Sequence, residues 1–82
     1  MSEIILKGDK NNEQEITVHS PNTILNINVK KGEINLIRIA PNLVFDSPIV
    51  LTENSMETYE KVAGMTFKFS SDNSYKVICT LK

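Results

Sequence analysis

The chain contains no tryptophan, a single cysteine, a single histidine, and only three glycines and three prolines in 82 residues. One cysteine, Cys79, excludes an intrachain disulfide framework and fits a reducing compartment, or a particle assembled in one. One histidine, His19, leaves few ways to build a histidine metal site or a nucleophile–base pair. No excess of one charge sign is present: nine basic against ten acidic residues give a net charge of −1. That balance offers no electrostatic footprint for nucleic acid or anionic membrane. Long apolar runs are missing too. Ile4-Ile5-Leu6, between Glu3 and Lys7, is too short for a signal peptide or a membrane span. The expected location is therefore the cytoplasm or a virion, with no secretion through a signal peptide.

What is present favours strands. Ile is abundant and Ala scarce, and apolar and polar residues alternate repeatedly. The clearest stretch is Thr23–Ile39. Leu25, Ile27 and Val29 alternate with Asn26, Asn28 and Lys30, and Ile34, Leu36 and Arg38 continue the period beyond Lys31-Gly32. A two-residue turn at Lys31-Gly32 predicts a β-hairpin with Val29 opposite Ile34 and Ile27 opposite Leu36, at the cost of positive φ at Lys31. Met65, Phe67 and Phe69, then Tyr75, Val77, Cys79 and Leu81, predict a second hairpin around Ser71-Asp72-Asn73, with Asn73 left-handed. Shorter strands are expected at Glu3–Lys7 and Glu15–His19, and around Leu43–Phe45 and Ile49–Thr52, the last two separated by a break at Asp46-Ser47-Pro48. Residues 54–63 carry a helix signal: Asn54 as cap, Glu57 three residues on, Gly64 as stop, and a stripe of Met56, Tyr59, Val62 and Ala63. A strand at Met56–Val62 stays open as the alternative.

The expected fold is all-β: one small antiparallel β-sandwich or partly open barrel of roughly six to eight strands spanning residues 1–82, with at most one short helix. Regular short strands separated by turns resemble an immunoglobulin-like sandwich in outline, although the disulfide and buried Trp of true members are missing.

Candidate chemistry is thin. Cys79 and His19 form the one nucleophile–base combination, but Cys79 lies in phase with Val77 and Leu81 and reads as a core thiol. Asp9, Asn11 and Glu13 start like a calcium loop, which then fails, with Gln14 where glycine belongs and Ser20 where the bidentate Glu belongs. Phe67-Lys68-Phe69 has the aromatic–basic mix of an RNA platform, but both rings share the Val77 and Leu81 face. No catalytic residue, metal or cofactor is expected.

The remaining feature is a second apolar face. Ile24, Ile37 and Ile39, beside Asn26, lie opposite the Leu25–Ile27–Leu36 face, and either the chain's own segments cover them or they meet a partner. The expected function is a non-catalytic structural or interaction protein, a component of a larger assembly such as a phage accessory or capsid decoration protein. Its expected partners are proteins: capsid or other assembly subunits, or further copies of itself. A small monomeric inhibitor or binding module is the alternative, and a nucleic-acid-binding β-barrel is a third class disfavoured by charge.

Overall fold

A computed structural model describes residues 2–9, 12–19, 21–40, 43–44 and 48–82. Those residues form nine strands: β1 (Ser2–Gly8), β2 (Gln14–Thr17), β3 (Ile24–Lys31), β4 (Ile34–Ala40), β5 (Leu43–Val44), β6 (Ile49–Leu51), β7 (Met56–Glu60), β8 (Thr66–Ser70) and β9 (Tyr75–Leu81). The first sheet, A, runs β1-β9-β3-β7. The second, B, runs β2-β8-β4-β5, with β6 also on β4. All pairings are antiparallel.

The order has a simple origin. β1 pairs β9, β2 pairs β8, β3 pairs β7 and β4 pairs β6. The chain is thus one long two-stranded ribbon that reverses between β4 and β6. It is then wound so that successive segments fall alternately in sheet A and sheet B. Contacts between turns of the ribbon supply β3·β9 and β4·β8, and β5 adds a short pair with β4 at the ribbon's end. Winding places one side of every strand inside. Leu25, Ile27 and Val29 of β3, with Val77 and Cys79 of the adjacent β9, face Ile34 and Leu36 of β4 and Phe67 and Phe69 of β8, all wholly buried. Each large apolar side chain so buried contributes about 1.5–3 kcal/mol.

Two expected hairpins are corrected. β3 and β4 lie in different sheets, and so do β8 and β9. Thr23–Ile39 is a strand, a corner and a strand. Positive φ occurs at Gly32 but not at Lys31, and Lys31 stays on the ladder opposite Lys76 after a register shift. A two-residue hairpin turn of the expected type needs both central residues at positive φ, so here the chain bends across to sheet B instead. Asn73 is likewise not left-handed. Its N–H donates to the Ser71 hydroxyl at 3.2 Å, while that hydroxyl donates to the Glu33 carbonyl, tying the two corners together. Ser71 is the buried polar residue of the core region. Removing a buried hydroxyl that serves two partners costs about 1–3 kcal/mol. Ser71→Ala is therefore expected to lower the urea unfolding free energy by that amount, with the secondary structure unchanged by circular dichroism.

The helix at 54–63 is also corrected. Asn54 sits at φ 69° in a turn closed by Ser55 N–H donating to the Thr52 carbonyl at 3.0 Å, and β7 follows. Met56 of the supposed apolar stripe is 69% exposed and Ala63 is exposed. The free edge of β3 offered this segment a full set of backbone partners, which a two-turn helix could not match. The strand count exceeds expectation because the ribbon's end is divided into the two-residue β5 and the three-residue β6. Asn11 and Ser20 of the calcium-loop pattern, and Phe45, Asp46 and Ser47 of the expected strand and break, lie outside the described residues. Pro48 precedes β6 and is exposed.

Candidate functional site

A wound β-ribbon offers two kinds of site: the space between the sheets and the outer faces. Among the described residues the space between the sheets is a packed apolar core. Its walls are Leu6, Ile16, Val18, Leu25, Ile27 and their buried neighbours, packed with Ile4, Ile49, Tyr59 and Met65. Apart from Ser71, one polar group stands at the core's margin, between β7 of one sheet and β4 of the other. Tyr59 faces inward with its ring centroid 5.5 Å from that of Phe67, and the Arg38 guanidinium carbon lies 6.0 Å from the Tyr59 centroid. Burial raises the Tyr59 phenol above its ordinary range, Glu57 adds to the rise and Arg38 opposes it. This cluster seals the edge of the core with an aromatic–cation stack.

Cys79 is wholly buried between Ile4 and Ile27 in the ladder, and burial pushes its thiol from 9.0 up to about 12. A thiol so protonated is a poor nucleophile. His19 is exposed beyond the end of β2, in the other sheet, where its carbonyl accepts the Asn22 N–H at 3.0 Å. The two sequence candidates for a nucleophile and its base therefore share no site. Phe67 and Phe69 are wholly buried and present no face for base stacking.

The thiol gives a signed prediction. A raised folded-state value means full stability below about pH 9, where the thiol is protonated folded and unfolded. Stability is then lost as pH climbs through the window from 9 toward 12. The unfolding free energy of wild type relative to Cys79→Val should fall there by up to about 1.4 kcal/mol per pH unit. Labelling with a thiol reagent at neutral pH should be slow in the native protein and fast in denaturant. Rapid native labelling would place Cys79 outside the core.

On the outer face of sheet A, cross-strand rows run from β1 to β7. Ile5, Ile78, Asn28 and Met56 form one row, and Glu3, Thr80, Asn26 and Thr58 the next. The Thr58 hydroxyl donates to Asn26 Oδ1 at 2.7 Å. Ile5 and Met56 are more than half exposed. An open depression of about 450 Å³ crosses these rows, lined among others by Glu3, Asn28, Lys30, Met56, Ile78 and Thr80.

The residues expected to form one interface are divided. Ile24 and Asn26 lie on β3 and point to the outside of sheet A, while Ile37 and Ile39 lie on β4 and point to the outside of sheet B. All four are half-buried. Exposed Val50, opposite Asn35, joins Ile37 and Ile39 on the sheet B side. Ile5 and Met56 belong to the sheet A surface and were missed. Ile5 sits inside a continuous apolar run that hides its phase, and Met56 falls in the segment whose helix and strand signals compete.

No family model matches the sequence, and no curated protein does. Solved structures match its fold. The CENP-C cupin domain of Drosophila melanogaster superposes with a TM-score of 0.73 at 14% identity, covering 98% of this chain and 59% of that one. CENP-C bound to CAL1 gives 0.75. Hydroxypropylphosphonic acid epoxidase from S. wedmorenis, in complex with fosfomycin, gives 0.68 at 13% identity, over 98% of this chain and 42% of that one. A de novo designed double-stranded β-helix gives 0.72 at 13% identity, with both chains covered completely. The chain thus spans less than two-thirds of the CENP-C chains it matches. At these identities the likeness establishes the fold alone: a cupin-type double-stranded β-helix, in place of the immunoglobulin-like outline. The same epoxidase has been solved in an Fe(II) form. A site for such an ion needs about three converging histidine, carboxylate or thiolate donors. Among the described residues no three His, Cys, Asp or Glu come together, and the buried Cys79 and exposed His19 do not fit that donor set.

Proposed function

We propose that this chain is a non-catalytic interaction module that works as a component of a protein assembly. The observation that carries the reading is the packed apolar core. Where a double-stranded β-helix enzyme needs donors and room for substrate, this one packs Leu25, Ile27, Leu36, Phe67, Phe69 and Val77 against one another. Function then falls to the outer faces, and the sheet A surface, with its apolar row and open depression, is the stronger of the two. A neighbour with this fold, CENP-C, is solved bound to a protein, CAL1, which supports the use of such a scaffold for protein recognition. Within this class we favour an accessory or decoration subunit of a phage particle, a choice supported by the Ile-, Asn- and Lys-rich composition.

Two measurements test the reading. Calorimetric titration with Fe(II), Ni(II) and Zn(II) should give no saturable one-to-one site; a stoichiometric site would overturn it. Cross-linking of the tagged chain in its native source should capture protein neighbours that Ile78→Lys abolishes and Ile37→Lys retains. The reverse pattern would move the interface to sheet B. Identical capture by both folded variants would remove it from both faces.

A further inference from the structure

We infer that β1 is a self-complementary edge through which two copies of this chain join their A sheets into one continuous antiparallel sheet. β1 is a terminal strand of sheet A, and among the described residues no strand pairs its second side. Which of its backbone groups lie on that side follows from the ladder. Ile24 and Lys82 exchange reciprocal N–H to carbonyl bonds, at 3.2 and 3.0 Å. Alternation along β9 then turns Thr80 and Ile78 toward β3, and Leu81, Cys79 and Val77 toward β1. Their partners Ser2, Ile4 and Leu6 are consumed by that ladder. Glu3, Ile5 and Lys7 are left with N–H and C=O groups directed outward. The Lys7 carbonyl accordingly accepts a bond from Gln14 Nε2, which lies off the sheet.

The sequence of this edge, Glu3-Ile4-Ile5-Leu6-Lys7, reads as its own complement. An antiparallel pairing with a two-fold axis at Ile5 sets Ile5 against Ile5 and each Glu3 against the other copy's Lys7. The Ile5 groups meet as a reciprocal pair, and the Lys7 carbonyl shares itself between Gln14 and the incoming Glu3 N–H or exchanges the first for the second. On the inner face the same register sets half-buried Ile4 against Leu6 of the second copy, prolonging the core. Charged residues on an edge strand ordinarily block association. Here two charges of opposite sign stand equally far from the centre, so antiparallel self-pairing turns them into partners, whereas a parallel or shifted pairing does not.

A second observation points the same way. Lys7 stands directly opposite Lys76, and Lys76 opposite Lys31, a row of like charges that disfavours the isolated sheet. In the joined sheet Glu3 of the second copy completes that row at its open end. The Ile5–Ile78 row likewise meets its own image, which covers the edge-facing side of Ile5, now 52% exposed. An edge partner of unrelated sequence would satisfy the backbone but not both charges, so the occupant is a second copy.

The test is sedimentation equilibrium over a concentration series, with circular dichroism on every variant. Wild type should approach twice the chain mass. Ile5→Pro removes an outward N–H without touching the β9 ladder and should weaken self-association by more than about tenfold, as should Glu3→Lys. Combining Glu3→Lys with Lys7→Glu restores the opposite signs and should recover the wild-type constant to within about threefold. The double variant keeps the idea testable if the proline variant fails to fold. A wild type that stays monomeric overturns it. So does a dimer indifferent to Ile5→Pro, or one that the double charge reversal fails to restore.

Discussion

Phe67→Ala is expected to lower the unfolding free energy by about 3–5 kcal/mol, most of the stability available to a domain of this size. Phe67 is wholly buried on β8, between Ile16 of β2 and Arg38 of β4 in the ladder. Its ring is also the partner of Tyr59 at 5.5 Å, so truncation opens a cavity and strips Tyr59, and the Arg38 charge over it, of the surface they pack on. Ordinary relaxation cannot fill that space, because Ile16 and Phe69 are fixed by their own strands. Urea denaturation should show the loss directly. Lys68→Ala, one residue on and facing outward from sheet B, serves as the control and should change stability by less than about 0.5 kcal/mol. A Phe67→Ala protein within about 1 kcal/mol of wild type would take Phe67 out of the core and return it to the surface, where an aromatic platform would again be open.

The division between what was readable in the chain and what was not follows from what alternation encodes. Period-2 patterning tells which side of a strand is buried, and the inward residues Leu25, Ile27, Val29, Ile34, Leu36, Phe67, Phe69, Tyr75, Val77 and Cys79 are all buried as it implies. It does not tell which strand lies alongside. Val29 and Ile34 satisfy the same inward phase whether they are cross-strand partners in one sheet or face each other across two. Ile27 has Cys79 and Glu57 as its ladder partners, not Leu36. The one local clue was Lys31, an unfavourable residue at the positive φ that a hairpin required. The structure declines that conformation and turns a corner instead. At 54–63 only the stop signal was real as local chemistry: Gly64 takes the positive φ of a chain reversal, whereas Asn54 at φ 69° lacks the extended backbone of an N-cap, and both residues serve turns on either side of a strand. The edge of β3 decided the matter, and an edge created by winding the ribbon is invisible in any short window of sequence.

For the same reason the surface residues were legible singly but not as a group. Ile24 and Asn26 on one side of the corner, and Ile37 and Ile39 on the other, share one phase of alternation, which in a hairpin would make a single patch. The corner at Gly32 sends them to the outer faces of opposite sheets. The apolar lining was legible, in the sense that the inward positions of β3, β8 and β9 carry apolar side chains apart from Tyr75 and Cys79. The winding that gives this interior its double-stranded β-helix form was not.

Gly32→Ala should be nearly as damaging as the loss of Phe67, although it removes nothing from the core. Gly32 has φ 77°, a region where a side chain costs about 1–2 kcal/mol. A Cβ built there would lie 2.5 Å from the Ser74 carbonyl oxygen, a backbone atom that cannot swing away as a side chain would. Ser74 immediately precedes β9, and Ser71 of the same corner is bonded to Glu33, so relieving the clash means separating two corners that hold each other. Gly32 N–H also donates to Glu53 Oε1 at 3.1 Å, and a shift of the corner breaks that bond. Together these effects are expected to cost about 2–4 kcal/mol in urea denaturation. Lys31→Ala, one residue earlier and exposed, should cost less than about 0.5 kcal/mol, and it removes one charge from the Lys7–Lys76–Lys31 row. The contrast between neighbours distinguishes the corner from a hairpin. In a two-residue hairpin loop both positions take positive φ and both backbones face solvent, so Gly32→Ala would cost only the conformational term. A loss near 1 kcal/mol at Gly32 would therefore bring β3 and β4 back side by side in one sheet, and the wound ribbon would fail with them.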